Sequence, residues 1–365
     1  MNWLIGFILS FALIRMLVAF FNLISMNWLR GDQAKAEGMV SVLIPARNEQ
    51  EKLPALLTSL SDQKYPNFEV IVYDDQSTDK TADIILKTTK KDKRFKYMKG
   101  EVLPDGWLGK NYACHKLAKA AQGDYLLFLD ADVSTGPELI TQTLSFLKRH
   151  KLSLLSIFPI QKMISFSERI SVPVMNWILV SLLPMLLIRK SSWSSFSAAN
   201  GQFMLFNAAD YKSNWFHMAL KNEKVEDIRI MQFMKSKRYR VHTLLGNKQI
   251  SCRMYNTFKE SVYGFSKNVV AYFGGSYFMT LGFMLITTFG WLPFVLNGHI
   301  ELLIVYLSIL ILTRIFVSAA SKQNPLFNVL LMPLQQLSFI LFVVQSIKNK
   351  LTGQYTWKNR PIINS

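Results

Sequence analysis

The sequence predicts an α/β domain on a mostly parallel sheet, with transmembrane helices on its N-terminal and C-terminal sides. Three observations predict it. Short apolar, β-rich runs alternate with helical patterns between Met39 and about residue 270. Apolar stretches of bilayer-spanning length with few or no charges lie on both sides of that region. The sharpest acidic motifs fall at the ends of the apolar runs, where parallel sheets bind ligands.

Trp3 to Leu29 is apolar apart from Arg15. No basic segment precedes it and no small-residue cleavage site follows. It therefore reads as a retained anchor (residues 1–29) and not a signal peptide. Arg30 and Lys35 come next, which puts the N-terminus outside and the following domain in the cytoplasm. VSVLIPA then reads as a buried strand ending near Pro45, and NEQEKLPALLTSLSDQ as a helix with Leu53, Leu56, Leu57 and Leu60 on one face. FEVIVYDD is a second strand. STDKTADIILKTTKK is a helix opened by Ser and Thr caps. RFKYMKG is a weaker strand, LGKNYACHKLAKAAQ a helix and DYLLFLDAD a strong strand, with LSLLSIFPI a further one.

Ile170 to Ile188 is a run of 19 uncharged residues containing Pro173 and Pro184. A single span there would place residues 190–275 on the opposite side of the membrane from residues 39–165. An interfacial or re-entrant helix is the expectation instead. NGQFMLFN reads as a strand, KVEDIRIMQFMKSK as a helix with an acidic first turn, and RVHTLLG as a strand. Residues 39–270 thus form the expected catalytic domain. Three spanning stretches follow within residues 277–347: Tyr277 to Leu296, Ile300 to Ala320 and Leu326 to Ile347. Three spans leave the C-terminus outside, yet the tail (348–365) carries Lys348, Lys350, Lys358 and Arg360, which favour the inside. The number of spans stays open at this point.

Half of the 365 residues are apolar and the net charge is +18. A basic balance suits nucleic acid, an anionic membrane face or acidic substrates. The apolar stretches favour the membrane and leave nucleic acid without support. The densest basic run, Lys87 to Lys99, reads as a solvated face or as a contact for anionic headgroups. Two distant cysteines, Cys114 and Cys252, give no disulfide framework, and five His at non-ligating spacings give no zinc site.

Asp130 and Asp132 end a strand as Asp-Ala-Asp. Alternate residues of an extended chain point the same way, so both carboxylates can face a hard divalent cation that also holds diphosphate oxygens. The competing reading is a solvated loop or helix cap. Asp74 and Asp75 end another strand. They suit hydrogen bonds from a nucleobase and ribose, or the turn and cap needs of Asp75 to Ser77. GWLGKN (Gly106 to Asn111) is no P-loop, because Asn111 stands where Ser or Thr is required. It reads as a turn at a helix start, with Lys110 either meeting phosphate or merely solvated. Asp227 sits in the first turn of its helix, where an acid also complements the helix dipole.

Taken together, VSVLIPARNE, VIVYDDQSTDKT, FLDADV, SAANGQF, VEDIRI and RMYNTFKE, in that order and followed by membrane helices, resemble the family 2 glycosyltransferases with their GT-A fold. The spacing of GWLGKN, EDIRI, RMY-x-x-FKE and the final WKNR looks most like the membrane branch that glycosylates carotenoid acids such as 4,4'-diaponeurosporenoate, or hopanoid-associated relatives. The resemblance implies roles. Pro45, Ala46 and Glu49 lie in the first donor loop, and Asp74 and Asp75 hold uridine and ribose. Asp132, helped by Asp130, holds Mg2+ or Mn2+ on the diphosphate. Asp227, in the pair with Glu226, is the general base, and Asn200, Gly201 and Gln202 line the acceptor side. Arg253 and Tyr255 occupy the place of a basic and aromatic motif near the diphosphate. The motif here is RMY and lacks the QxxRW pattern, which argues against a processive synthase.

The implied reaction is an inverting transfer of a hexose, glucose first, from a UDP-sugar to a lipid or carotenoid acceptor at the membrane. Polyprenyl phosphate, diacylglycerol and a hopanoid are the rival acceptors. A non-catalytic transporter or scaffold is the rival class. Against it, Glu301 and Arg314 are the main ionisable residues of the C-terminal spans, both expected near span ends, so no ion path is visible.

Overall fold

The computed structural model describes residues 2–25, 28–29, 37–352, 356–357 and 360–361. Arg30, Lys35 and Lys358, used above to orient the chain, lie outside the described residues. The chain divides into two compact units: Trp28–Ile160 with Leu187–Cys252, and Met1–Asn27 with Gln161–Leu186 and Arg253–Gln354. Residues 39–270, read as one stretch from the sequence, are divided between them.

The first unit carries strands β1 (Val40–Ala46), β2 (Phe68–Asp74), β3 (Phe95–Lys99), β4 (Tyr125–Leu129), β5 (Val133–Thr135), β6 (Leu154–Phe158), the two-residue β7 (Ile160–Gln161), β8 (Phe203–Asn207), β9 (Val241–Leu245) and β10 (Ile250–Cys252). A seven-stranded sheet runs in the order β3-β2-β1-β4-β8-β6-β9. β1, β2, β3 and β4 pair in parallel, as do β6 and β9. β8 runs antiparallel to both its neighbours, β4 and β6. β5 and β10 pair antiparallel beside the main sheet.

β2 is buried along its whole length and β1 at every residue but Pro45, without polar alternation, because helices cover both faces of a parallel sheet. The helix Leu53–Ser61 buries Leu53, Leu56, Leu57 and Leu60, the face expected from their spacing. These leucines join Val42, Ile44, Val70, Val72, Leu127 and Leu129 in one core. Further helices are Thr81–Lys91, Gly109–Ala120, Leu139–Arg149 and Glu226–Ser236. Ser77 and Thr78 do not cap Thr81–Lys91. Its start is held by Asp79, whose carboxylate accepts from the Thr81 N–H at 3.0 Å, while the Ser77 hydroxyl accepts from the Asn48 N–H at 3.0 Å.

In the second unit, the helices Asn2–Ile24 and Ile300–Ala320 are long and apolar enough to cross a membrane. Tyr277 to Leu296 is not one helix. It splits into Tyr277–Phe289 and Leu292–Leu296, and the helical stretch Phe258–Phe273 meets Tyr277–Phe289 at a 102° bend, as a broken span or re-entrant loop would. Leu326 to Ile347 splits into Pro325–Leu330 and Met332–Thr352. Ile170 to Ile188 is likewise broken, into Phe166–Ser171, Pro173–Leu182 and Leu186–Lys190, at the two prolines. Asn22 repairs the second break. Its amide donates to the carbonyls of Val180 and Leu183, each at 2.8 Å, and accepts from the Met185 N–H at 2.8 Å. Backbone freed by Pro184 is thereby satisfied by protein, the condition for irregular chain inside an apolar unit.

Candidate active site

Because β1, β2 and β4 are parallel, their C-terminal ends open on one edge of the sheet. Pro45 and Ala46, expected in the first donor loop, are instead the last residues of β1, and the loop proper begins at Arg47. The Ala46 carbonyl accepts the Asp75 N–H at 2.8 Å, which ties the two strand ends. Asp74 closes β2. Its carboxylate accepts from the Ser77 N–H at 3.1 Å and the Tyr97 hydroxyl at 3.3 Å. Gly100 packs so tightly here that a Cβ on it would stand 2.4 Å from the Asp74 carbonyl oxygen. Asp75 is buried. Arg47 donates to its carbonyl at 2.6 Å and stands 3.7 Å from its carboxylate. The Glu49 N–H donates to Thr81 Oγ1 at 2.8 Å, so the β1 loop is pinned to the start of the next helix.

The antiparallel β8 decides the second half of the site. Its first residue, Phe203, lies in register with Leu129, the last residue of β4. The turn Asn200–Gln202 therefore meets the Asp130–Asp132 turn. Gln202 donates through Nε2 to both carboxylate oxygens of Asp132, at 3.1 and 3.2 Å, and lies 2.7 Å from Cys252 Sγ. Its Oε1 accepts from the Asn200 amide at 3.2 Å, and the Asn200 N–H donates to the Ser156 hydroxyl at 2.8 Å. The Gly201 N–H donates to Asp227 Oδ2 at 2.9 Å, and the Ile228 N–H to Asp227 Oδ1 at 2.8 Å.

Lys110 joins these pieces. Its ammonium lies 3.0 Å from Asp130 and 3.2 Å from Glu226. It is neither a solvated turn residue nor isolated. A Cβ on Gly201 would lie 2.9 Å from it, so the Asn200–Gln202 turn also closes on this cation. Asn111 explains the placement. It is buried, and its amide donates to the carbonyls of Leu220 (2.9 Å), Lys221 (3.3 Å) and Glu223 (3.0 Å), clamping the loop that leads into Glu226. The residue that disqualifies the P-loop reading thus has a structural task. No periodicity or spacing signal marked Asn111, Arg47, Ser156 or Cys252 as part of the site.

The electrostatics are uneven. Burial, the neighbouring Asp130 and, in smaller part, Glu49 push Asp132 up to about 6, with Lys52 opposing. Burial and Glu226 push Asp227 up to about 7, with Lys110 opposing. For Lys110, burial works against the charged form, but Asp130 and Glu226 outweigh it and hold the ammonium well above the usual lysine range. Around Lys110 the carboxylates of Asp130, Glu226 and Asp227 outnumber the ammonium.

Arg253 and Tyr255 belong to the helical unit. Arg253 pairs with Glu168 at 2.8 Å, and Tyr255 packs edge-on against Phe265 with ring centroids 5.0 Å apart. Glu168 also completes a capping box with Ser165 at the start of Phe166–Ser171.

Residues 41–215 match the model of the family described as glycosyl transferase family 2. The chain is 30% identical over 239 residues to a 4,4'-diaponeurosporenoate glycosyltransferase of Staphylococcus haemolyticus, which covers 63% of this chain and 60% of that one. It is 28% identical over 120 residues to a beta-monoglucosyldiacylglycerol synthase of Nostoc sp., covering 32% of this chain and 25% of that one. The chain thus spans less than two thirds of the length of these relatives. Among solved structures it is similar to a mannosyltransferase from Pyrobaculum calidifontis in complex with GDP-Man and Mn2+, with a TM-score of 0.50 and 14% identity over 94% of this chain and 99% of that one. The sheet order, the strand-end carboxylates and the matched residues agree: residues 41–215 carry a glycosyl transferase family 2 domain, and the fold is GT-A.

Proposed function

We propose that this chain is an inverting glycosyltransferase that moves a hexose, glucose first, from a UDP-sugar to a membrane-resident acceptor, with a carotenoid acid as the best candidate. The observation that carries the proposal is the convergence of Asp130, Asp132, Lys110, Glu226 and Asp227 at the strand ends of a GT-A sheet. The diaponeurosporenoate relative supports the carotenoid acid, and the diacylglycerol relative supports a lipid alternative. Membrane association is supported by the two apolar helices. In this reading the protein is a multi-pass membrane protein with residues 39–270 on the cytoplasmic side and residues 170–188 dipping into the membrane as an interfacial or re-entrant helix.

Asp132, with Asp130, would hold Mg2+ or Mn2+. The residues fit a cation: two carboxylates leave one turn, and burial together with the neighbouring Asp130 raises Asp132. The Mn2+ in the Pyrobaculum calidifontis mannosyltransferase complex supports that choice. Bound there, the metal would neutralise charge on the leaving diphosphate. Asp74 and Asp75 would take the uridine and ribose, with Arg47 and the Ser77 N–H already fixing their orientation. Gln202 would orient Asp132, while Asn200 and Gly201 shape the acceptor side.

Asp227 would accept the proton of an alcohol acceptor, whereas a carboxylic acid acceptor arrives already ionised. The raised pKa of Asp227, near 7, suits a base at neutral pH. Glu226 and Lys110 tie the start of its helix to Asp130 on the proposed metal side.

The test is turnover by purified protein in liposomes with UDP-glucose, Mn2+ or Mg2+, and a panel of carotenoid acid, diacylglycerol and polyprenyl phosphate. Transfer to one lipid, lost with chelator and in Asp132→Ala, establishes the activity and names the acceptor. No transfer and no UDP release with any pair overturns it.

A further inference from the structure

Two arginines lie inside the helical unit: Arg15 on Asn2–Ile24 and Arg314 on Ile300–Ala320, each 3% exposed. Arg314 is not at the edge of its span, as its position had suggested, but buried against the neighbouring helices. The Arg15 guanidinium stands 4.6 Å from the centroid of the Trp177 ring and that of Arg314 stands 4.2 Å from it. Three helices thus bring two cations to one indole.

Their hydrogen-bond partners are neutral. Arg15 donates to the Ser181 hydroxyl at 2.8 and 3.2 Å, and Arg314 to Gln335 Oε1 at 2.8 Å. Gln335 in turn donates to Asn328 Oδ1 at 2.9 Å, and Asn328 to the Ser318 hydroxyl at 2.8 Å. The unit contains three acids, Glu168, Glu260 and Glu301. Glu168 is paired with Arg253. Glu260 accepts the Asn256 N–H at a helix start. Glu301 is in the first turn of Ile300–Ala320, whereas Arg314 lies in its second half. Among the described residues, no carboxylate lies within ion-pair distance of either arginine.

Cation–π contact alone gives little reason for two charges here, since a neutral side chain would pack on Trp177 without desolvating a guanidinium or facing a like charge. Among the described residues, Arg15 Nη1 and Arg314 Nε and Nη2 make no hydrogen bond, and guanidinium donors match the oxygens of a carboxylate or phosphate. We propose that Arg15 and Arg314 bind the anionic end group, a carboxylate or phosphate ester, of a membrane-resident amphiphile whose chain lies among the apolar helices. The proposal rests on the membrane placement above. The anion has two possible sources, an acid acceptor or an anionic phospholipid.

The test uses the full chain in neutral detergent at alkaline pH, with cis-parinaric acid as a polyene carboxylate, its methyl ester as the uncharged control, and energy transfer from tryptophan as the readout. The acid should bind about tenfold more tightly than the ester, as one charge-assisted contact provides. That preference should vanish in Arg15→Gln and in Arg314→Gln and survive in the lysine variants, which keep the charge. Displacement by phosphatidylglycerol and not by phosphatidylcholine would identify the phospholipid source, and its absence the carboxylic acid source. Equal affinity for acid and ester in the unaltered protein, which needs no variant to fold, overturns the proposal, as does a preference that persists in both glutamine variants. The measurement uses no sugar donor, so it stands apart from the transfer reaction.

Discussion

The ammonium of Lys110 lies 3.2 Å from the carboxylate of Glu226, joining the first turn of Gly109–Ala120 to the first residue of Glu226–Ser236. The same ammonium also meets Asp130 at 3.0 Å, so one lysine links the carboxylates proposed for donor and acceptor. Replacing it with methionine keeps the stem and leaves two carboxylates unanswered. Lys110→Met should lower kcat/KM at least about a hundredfold and cost about 2 kcal/mol of stability, a partly exposed version of breaking a buried pair. Kinetics and chemical denaturation check both. Unchanged kcat/KM would remove Lys110 from the site.

Gly201 tests the same junction sterically. An added Cβ would meet the Lys110 ammonium at 2.9 Å, Glu226 at 3.5 Å and Asp227 at 3.6 Å. Gly201→Ala should displace the ammonium and reduce kcat about tenfold or more, with a stability change under about 1 kcal/mol because the contact is with the far end of a flexible chain. Comparing kcat with the melting temperature separates this from general unfolding.

Asp227 carries a stability cost with a defined pH window. A carboxyl raised in the folded state binds its proton more tightly there than in the unfolded chain. Ionising it therefore costs nothing below the ordinary 3.8, costs progressively more as pH rises through the window, and costs its full amount above about 7. Asp227→Asn should thus melt about 3 °C higher than the parent protein at pH 8, with the gap closing by pH 4. Calorimetry across that range checks the sign.

The acceptor's chemistry should decide how much Asp227 matters. A carboxylic acid with a pKa of about 4 is already ionised at pH 7 and has no proton to lose, unlike an alcohol. Asp227→Asn should cost an alcohol acceptor about a hundredfold or more in kcat and a carboxylate acceptor far less. With the alcohol, the rate should rise with pH through about 7, where Asp227 ionises. Equal losses on both acceptor types would remove the role of base.

Chelation should abolish turnover, and Mn2+ or Mg2+ should restore it in the parent protein but not in Asp132→Ala. Because burial and Asp130 raise Asp132, metal affinity should fall as pH drops below about 6, where that carboxyl takes up a proton. Metal titration at pH 5.5 and 7.5 checks this.

Much of this protein is legible in the linear chain, for a physical reason. A strand buried on both faces must be apolar throughout, so VSVLIPA, FEVIVYD and YLLFL announce the central sheet, and the leucine spacing of Leu53–Ser61 announces the helix that covers it. Strand-end carboxylates stand out because charge is rare beside such runs. Apolar length likewise marks Asn2–Ile24 and Ile300–Ala320. Long-range pairing is not written in any local pattern. The antiparallel insertion of β8 brings Asn200–Gln202 to Asp132, and Asn111 reaches across the chain to carbonyls beyond residue 219. Arg15 and Arg314 look like isolated charges in apolar helices until three helices close on Trp177. Periodicity reports which face of an element is dry. Which elements share that dry space depends on packing the whole chain at once, and that packing placed the carboxylates, their lysine and the two buried arginines.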